Sequence, residues 1–197
     1  MPEHYYTKAP TSGHDARAFS FAHAGRQLTF ETDAGVFSKG HVDPGTAMLL
    51  KALPEAFAGR ALDLGCGWGA IGAAMAAAWP GADVVLTDVN ERAAALARQN
   101  LARNGLTAQV VTGDGFSAVE GAFDLIATNP PIRAGKAVIY PLFEQSAKRL
   151  NKGGALLLVI RKQQGADSAV KFLSGVFSAV EILSRGSGGY RVIRARL

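Results

Sequence analysis

Apolar and polar positions divide the chain into two regions of different period. In the first, residues 19–21 and 27–31 flank Ala24-Gly25-Arg26 in the manner of a short β-hairpin, and Val36-Phe37 marks a further short strand. Asp43 and Pro44 then supply a helix N-cap and a first-turn proline. Met48, Leu49, Leu50 and Leu53 supply that helix's apolar side, and Pro54 stops it. From residue 60 onward, short apolar runs alternate with longer helical patterns, the form of a parallel sheet covered by helices. Strands are predicted at 61–64, 84–87, 109–112, 125–128 and 156–160, with helices at 70–79, 91–104, 136–150 and 168–177. The third strand is followed only by a short connection. Strands at 180–183 and 190–195, joined through residues 184–189, fit a closing antiparallel hairpin. Asn104-Gly105 and Lys152-Gly153-Gly154 place glycine where a helix C-terminus needs a left-handed residue. The pattern predicts an α/β fold in which residues 1–59, a hairpin and helix, pack as an extension on a core of residues 60–197, one structural domain overall.

Composition narrows the class. A chain of 197 residues, 48% apolar and 19% charged, has enough apolar content for one core. Its longest apolar stretch, 70–79, falls short of the roughly 20 residues that span a bilayer, and residues 1–6 lack the apolar core of a secretion signal. No membrane partner is expected. One cysteine, Cys66, rules out an intrachain disulfide and a multi-cysteine zinc site, and His4, His14, His23 and His41 show no close ligand spacing. A metal-free protein of a reducing compartment, the cytoplasm, is expected.

The net charge of +5 is unevenly distributed. Residues 1–120 carry nine basic and twelve acidic side chains, whereas residues 121–197 carry twelve basic and four acidic, giving −3 and +8. Arg185, Arg191, Arg194 and Arg196 have no acid among them. Clustered cations of this kind fit a polyanion, and RNA is the expected partner. Arg194 and Arg196 are read here as backbone contacts, whose loss would weaken RNA binding and flatten its salt dependence.

The candidate chemistry begins at Asp63-Leu64-Gly65-Cys66-Gly67-Trp68-Gly69, which leads from a predicted strand into an alanine-rich helix. Its glycines let a ligand approach the main chain, and the loop amides with the helix N-terminus favour an anionic group. Gly67, Gly69 and Gly72 also match the dinucleotide pattern G-x-G-x-x-G, with Asp88 about 20 residues on. Asp63 separates the two readings, because a carboxylate there suits a ligand ammonium and repels a pyrophosphate. S-adenosylmethionine carries such an ammonium, together with a carboxylate, a ribose and an adenine. Asp88-Val89 after the second core strand is placed for ribose hydroxyls, and Asp114-Gly115 after the third for an adenine. With Gly65, Cys66, Gly67 and Asn129 these residues make the candidate cofactor set. Cys66 reads as a small packed residue and not a nucleophile.

Asn129-Pro130-Pro131-Ile132 follows the fourth core strand on the same side. Tandem prolines fix the backbone and remove two donors. An exocyclic amine conjugated to a base is a poor nucleophile. The Asn129 side-chain oxygen and the Pro130 carbonyl can accept its two hydrogens and turn its lone pair toward a methyl sulfonium.

Over residues 60–197 the chain resembles the class I S-adenosylmethionine-dependent methyltransferases. Phe37-Ser38-Lys39-Gly40, Asp43-Pro44-Gly45-Thr46 and the run from Asn129 to Lys136 extend the likeness to the methyltransferase small domain family, which includes small-subunit ribosomal RNA guanine-N2 methyltransferases. The resemblance implies a Rossmann-like, seven-stranded, mostly parallel sheet with its last strand antiparallel. It also implies cofactor contacts at Asp63, Gly65, Gly67, Asp88 and Asp114, and amine recognition by Asn129 and Pro130. Two features depart from the family pattern. Characterised guanine-N2 members generally carry two tandem domains and this chain has one, so it is expected as a monomer or homodimer. Position 132 is Ile where related enzymes often place an aromatic that stacks on the base. Phe37 and Phe116 are the candidate replacements, although core packing suits each of them better. Phe37, Lys39, Arg133, Lys136, Arg194 and Arg196 make the candidate substrate set. The leading expectation is methylation of guanine N2 in ribosomal RNA, with adenine N6 and protein glutamine N5 as alternative acceptors. Other classes are a non-catalytic RNA-binding protein of this fold and, last, a nicotinamide-dependent oxidoreductase.

Overall fold

A computed structural model describes residues 12–197; His4 and residues 1–6, read above for metal ligation and a secretion signal, lie outside them. The hairpin forms as β1 (Arg17–His23) and β2 (Arg26–Thr32), turning through Ala24 and Gly25 at φ 49° and 72°. That doubly positive pair is what a two-residue hairpin turn requires. Helix α1 (Pro44–Lys51) begins as its sequence predicts, with Asp43 accepting from the Gly45 and Thr46 amides. The core then runs β3 (Arg60–Leu64), α2 (Ala70–Ala78), β4 (Asp83–Asp88), α3 (Glu91–Arg103), β5 (Gln109–Thr112) and β6 (Phe123–Thr128). It continues through α4 (Lys136–Arg149), β7 (Leu150–Arg161), α5 (Ala166–Leu173), β8 (Ala179–Arg185) and β9 (Tyr190–Arg196).

These strands form a seven-stranded sheet in the order β5-β4-β3-β6-β7-β9-β8, parallel except that β9 is antiparallel to both its neighbours. This is the Rossmann-like arrangement expected. Alternate strand residues feed two cores. Ala61, Val84, Leu86, Leu125 and Leu157 pack with the hairpin, α1, α2 and α3, while Leu62, Val85, Ile126, Leu156 and Leu158 pack with α4 and α5. The chain order turns back between β3 and β6, so the helices leave to opposite faces and a crevice opens at the strands' carboxyl ends. Helix α2 lies very close to the sheet, because a Cβ at Gly72 would sit 2.3 Å from Leu86 side-chain carbons. Close helix packing therefore accounts for the last glycine of the dinucleotide-like spacing.

The hairpin is bound to α3 by two asparagine side chains one helical turn apart. Asn100 exchanges bonds with the Glu31 amide and carbonyl (2.8 and 2.9 Å), and Asn104 does the same with Thr29 (2.8 and 2.8 Å). They act as a fragment of neighbouring strand along the outer edge of β2. Phe30 completes the join, its ring centroid 5.0 Å from that of Trp68.

Three sequence expectations are corrected. Residues 36–37 form no strand, because Gly35, Ser38 and Gly40 all take positive φ and fold the segment into turns. The glycines after α4 do not cap it. Leu150 is already extended, and Gly153 (φ 80°) lies in an irregularity of β7 where pairing jumps from Phe123↔Leu150 to Leu125↔Ala155. The helix expected at 168–177 instead starts at Ala166, after the left-handed Gly165, and ends at Leu173.

Candidate active site

At the crevice, Gly65, Gly67 and Gly69 take φ of 73°, 55° and 93°, which lets the chain turn sharply from β3 into α2. The Gly65 and Cys66 amides both donate to the Thr87 carbonyl (2.9 Å each), Gly67 donates to Asp88 Oδ2 (2.7 Å) and Gly69 to the Cys66 carbonyl (2.9 Å). These four amides hold the loop in shape. The loop borders a cavity of about 340 Å³.

Most of the candidate cofactor set converges there. Gly65, Cys66, Gly67, Asp88, Val89, Asp114, Gly115 and Asn129 all line the cavity. Burial raises the Asp88 carboxyl above the usual range, against the amides of Asn90, Gly67 and Val89. Cys66 is buried, and that burial pushes its thiol up, away from the thiolate a nucleophile needs. Asp63 differs from the rest. It lies fully buried beneath the loop and does not line the cavity, with Oδ2 accepting from the Gly72 amide at 2.8 Å. Its Oδ1 has no protein partner, and neither does Thr87 Oγ1, which belongs to a cavity-lining residue. Burial pushes the Asp63 carboxyl up to about 7, the Gly72 amide opposes the rise and the Asp88 charge adds to it.

The Asn-Pro-Pro segment closes the other side. Pro131 takes φ −74° and ψ 72°, the centre of an inverse γ-turn, and the Ile132 amide returns to the Pro130 carbonyl at 2.8 Å. One lone pair of that carbonyl is thereby used and a second remains. Pro130 and Pro131 line the cavity, but Ile132 does not: the turn directs it against the core under α4. Asn129 Nδ2 donates to Thr46 Oγ1 (3.0 Å) and Asp43 Oδ2 (3.2 Å). Asp43 and Thr46, named in the sequence only as a helix cap and as part of the family likeness, were left out of the candidate site set, since the N-cap signature accounted for Asp43 by itself.

The substrate set divides. Phe37 lines the cavity, its carbonyl held by Trp68 Nε1 at 2.9 Å, whereas Phe116 is buried in the core and is withdrawn as a stacking candidate. Arg133 and Lys136 are exposed beside the lining residues Ala134 and Val138. Lys39 follows the lining residue Ser38 and pairs with Asp15. Arg194 and Arg196 are not at the site. Both bind Glu181 (2.7 and 3.0 Å), and Arg196 lies opposite Ala155, toward the end of the sheet away from the crevice, because β9 runs antiparallel.

The family model described as "Methyltransferase small domain" matches residues 27–194. A Bacillus subtilis (strain 168) protein described as "Uncharacterized protein YbxB" is 40% identical over 200 residues, covering 100% of this chain and 99% of that one. A "Ribosomal RNA small subunit methyltransferase C" of Pseudomonas entomophila (strain L48) is 39% identical over 168 residues, covering 82% of this chain and 48% of that one. Among solved structures, the T. Thermophilus 16S rRNA N2 methyltransferase RsmC, in complex with AdoMet and guanosine, matches with a TM-score of 0.82 and 33% identity. That match covers 95% of this chain and 52% of that one. The chain thus spans about half the length of the ribosomal RNA methyltransferases it matches and almost all of the Bacillus protein.

Proposed function

The chain belongs to the methyltransferase small domain family, and from that premise we propose that it transfers a methyl group from S-adenosylmethionine to an exocyclic amine, guanine N2 of ribosomal RNA. The observation that carries this reading is the Asn129 amide: Asp43 and Thr46 take its nitrogen, so its oxygen is the end left to accept from a ligand in the cavity. The two related ribosomal RNA methyltransferases described above support the choice of RNA.

The residues present fit the cofactor. Asp63 Oδ1 is a buried acceptor without a partner, the kind of atom that an ammonium satisfies directly or through a water. Asp63 with the glycine loop would hold the aminoacid part, Asp88-Val89 the ribose and Asp114-Gly115 the adenine. S-adenosylmethionine supplies, when bound, a methyl group activated by a positive sulfur. Asn129 Oδ1 and the free lone pair of Pro130 accept the two hydrogens of the amine. They orient its lone pair and stabilise the positive charge that would grow on nitrogen as the N–C bond forms and the methyl–sulfur bond breaks, the electron pair staying with sulfur in S-adenosylhomocysteine. The methylated nitrogen then gives one proton to solvent, and no strong base is required. Arg133 and Lys136 would meet the RNA backbone at the rim.

The experiment is calorimetric titration with S-adenosylmethionine, S-adenosylhomocysteine and NADPH, followed by methyl transfer to small-subunit ribosomal RNA with nucleoside analysis of the product. The first two ligands are expected to bind and N2-methylguanosine to appear. Binding of NADPH alone overturns the reading. Failure of every ligand to bind favours a non-catalytic RNA-binding protein, and a methylated adenine moves the acceptor to N6. None of the described helices is long and apolar enough to cross a membrane; the cytoplasm is the compartment proposed with this substrate.

A further inference from the structure

We infer that Asp43, held in turn by Tyr190 and Arg161, is the positioning residue that fixes which end of the Asn129 amide faces the acceptor, and so restricts the site to acceptors that bring an NH₂ group. This rests on the amine-transfer reading above and deepens it.

An asparagine amide offers two donors on nitrogen and an acceptor on oxygen, and the two ends are nearly the same shape. At Asn129 both donors are engaged, one by Thr46 Oγ1 at 3.0 Å and one by Asp43 Oδ2 at 3.2 Å. Turning the amide over would set its oxygen against the Asp43 carboxylate. A hydroxyl such as Thr46 can donate or accept, so Thr46 alone would tolerate either orientation. The carboxylate, which only accepts, decides.

Asp43 is held more firmly than a helix cap requires. Oδ2 takes the Gly45 and Thr46 amides at 2.8 and 3.1 Å, which completes the cap. Oδ1 additionally accepts from the Tyr190 hydroxyl at 3.2 Å. That hydroxyl accepts from the Arg161 guanidinium, whose carbon lies 4.3 Å from the centre of the Tyr190 ring. Packing confirms that the position is built: a Cβ at Gly45 would lie 2.6 Å from Tyr190 Cε1 and 2.9 Å from Asp43 Oδ2. Only glycine lets the tyrosine come this close. The group joins the start of α1, the ends of β6 and β7 and the start of β9, four segments far apart in sequence.

The chemical result is selection. With the nitrogen turned away, this side of the cavity presents acceptors, Asn129 Oδ1 and the Pro130 carbonyl. A primary exocyclic amine satisfies both with its two hydrogens, whereas a hydroxyl or a carbon nucleophile leaves at least one unmet. Asp43, which also lines the cavity, thus acts on the acceptor through Asn129.

The test uses the full chain and the variants Asp43→Ser, Tyr190→Phe, their double mutant and Asn129→Ala. Serine retains the helix cap but is too short to reach Asn129 and Tyr190, and phenylalanine retains the ring packing without the hydroxyl. The Asn129 side-chain amide signals are assigned by their loss in Asn129→Ala, and their hydrogen exchange is followed by NMR. Slow exchange is expected in wild type and faster exchange in Asp43→Ser. Turnover on small-subunit ribosomal RNA is expected to fall about 100-fold in Asp43→Ser, the scale of a small misplacement of a reacting group. In Tyr190→Phe the fall is about tenfold, and the double mutant is no worse than Asp43→Ser, while affinity for S-adenosylmethionine stays within about twofold. Unchanged amide exchange in Asp43→Ser overturns the inference, as does wild-type turnover in that variant when Asn129→Ala is inactive. Wild-type turnover in Asn129→Ala would overturn the amine-transfer reading instead. The amide signals need no acceptor, so they decide even if ribosomal RNA is no substrate, and Tyr190→Phe carries the test if Asp43→Ser does not fold.

Discussion

Asp63 joins two properties that pull against each other. Burial raises its carboxyl to about 7, so over the range from the ordinary value of 3.8 to about 7 the folded chain holds a proton that the unfolded chain has lost. The contribution of this group to stability is therefore complete below about pH 4 and is lost as pH rises toward 7. A cofactor ammonium prefers the ionised form, so affinity has the opposite slope. Binding of S-adenosylmethionine should weaken as pH falls below about 7, approaching tenfold per unit. In Asp63→Asn the pH dependence of unfolding between 4 and 7 should flatten and cofactor affinity should drop at every pH. Denaturation and calorimetry across that range check both, and an unaltered slope would show that Asp63 titrates normally. The carboxylates at the strand ends, Asp88 and Asp114, were legible in the sequence because a strand followed by a turn places its last residue at the crevice. The depth of Asp63 was not, since it depends on the Gly72 amide reaching back over the loop. The tie of Asp43 to the site was hidden for a different reason: a local cap accounts for an aspartate at that position, and its partners Asn129 and Tyr190 stand 86 and 147 residues away.

The hairpin and α3 meet through groups that neither element reveals alone. Asn100 is fully buried and binds Glu31 twice, and also the Trp68 carbonyl at 2.9 Å. Asn100→Ala removes one buried and two part-buried hydrogen bonds to the main chain and should cost about 2–4 kcal/mol, read from a chemical denaturation midpoint. A loss under about 0.5 kcal/mol would show that water takes over those bonds. Strands and helices of the core were readable because their apolar runs are long and strongly patterned, and α1 because Asp43 and Pro44 punctuate it. The supposed strand at Val36-Phe37 failed because three residues around it take positive φ, two of them glycines whose presence alone does not set the turn. Lys152-Gly153-Gly154 resembled a helix end, yet its glycine serves an irregular strand pair with β6.

Across the whole molecule, the excess of positive charge in the second half was plain from the sequence, but the end of the sheet on which each cation stands was not. Antiparallel β9 carries Arg194 and Arg196 away from the crevice and into contact with Glu181, while Arg133 and Lys136 remain exposed beside the cavity. Replacing Arg133 and Lys136 with Ala should weaken RNA binding and reduce the slope of log affinity against log salt by about 1.4, two phosphate contacts on a single strand. The same change at Arg194 and Arg196 should leave the slope as it is. A reversed result would place the RNA surface at the far end of the sheet.

That late strand has another consequence. β9 follows β8 in the chain yet lies between β8 and β7, so until it is seated the β7 edge has no neighbour. Along that edge run Leu156, Leu157, Leu158, Val159 and Ile160, all buried in the finished sheet. A chain caught before this insertion shows an apolar, unpaired strand, the kind of surface on which incompletely folded molecules aggregate. The hazard of self-association therefore belongs to the closing step of folding, and weakening β9 should cost soluble yield before it costs the fold of the remaining strands.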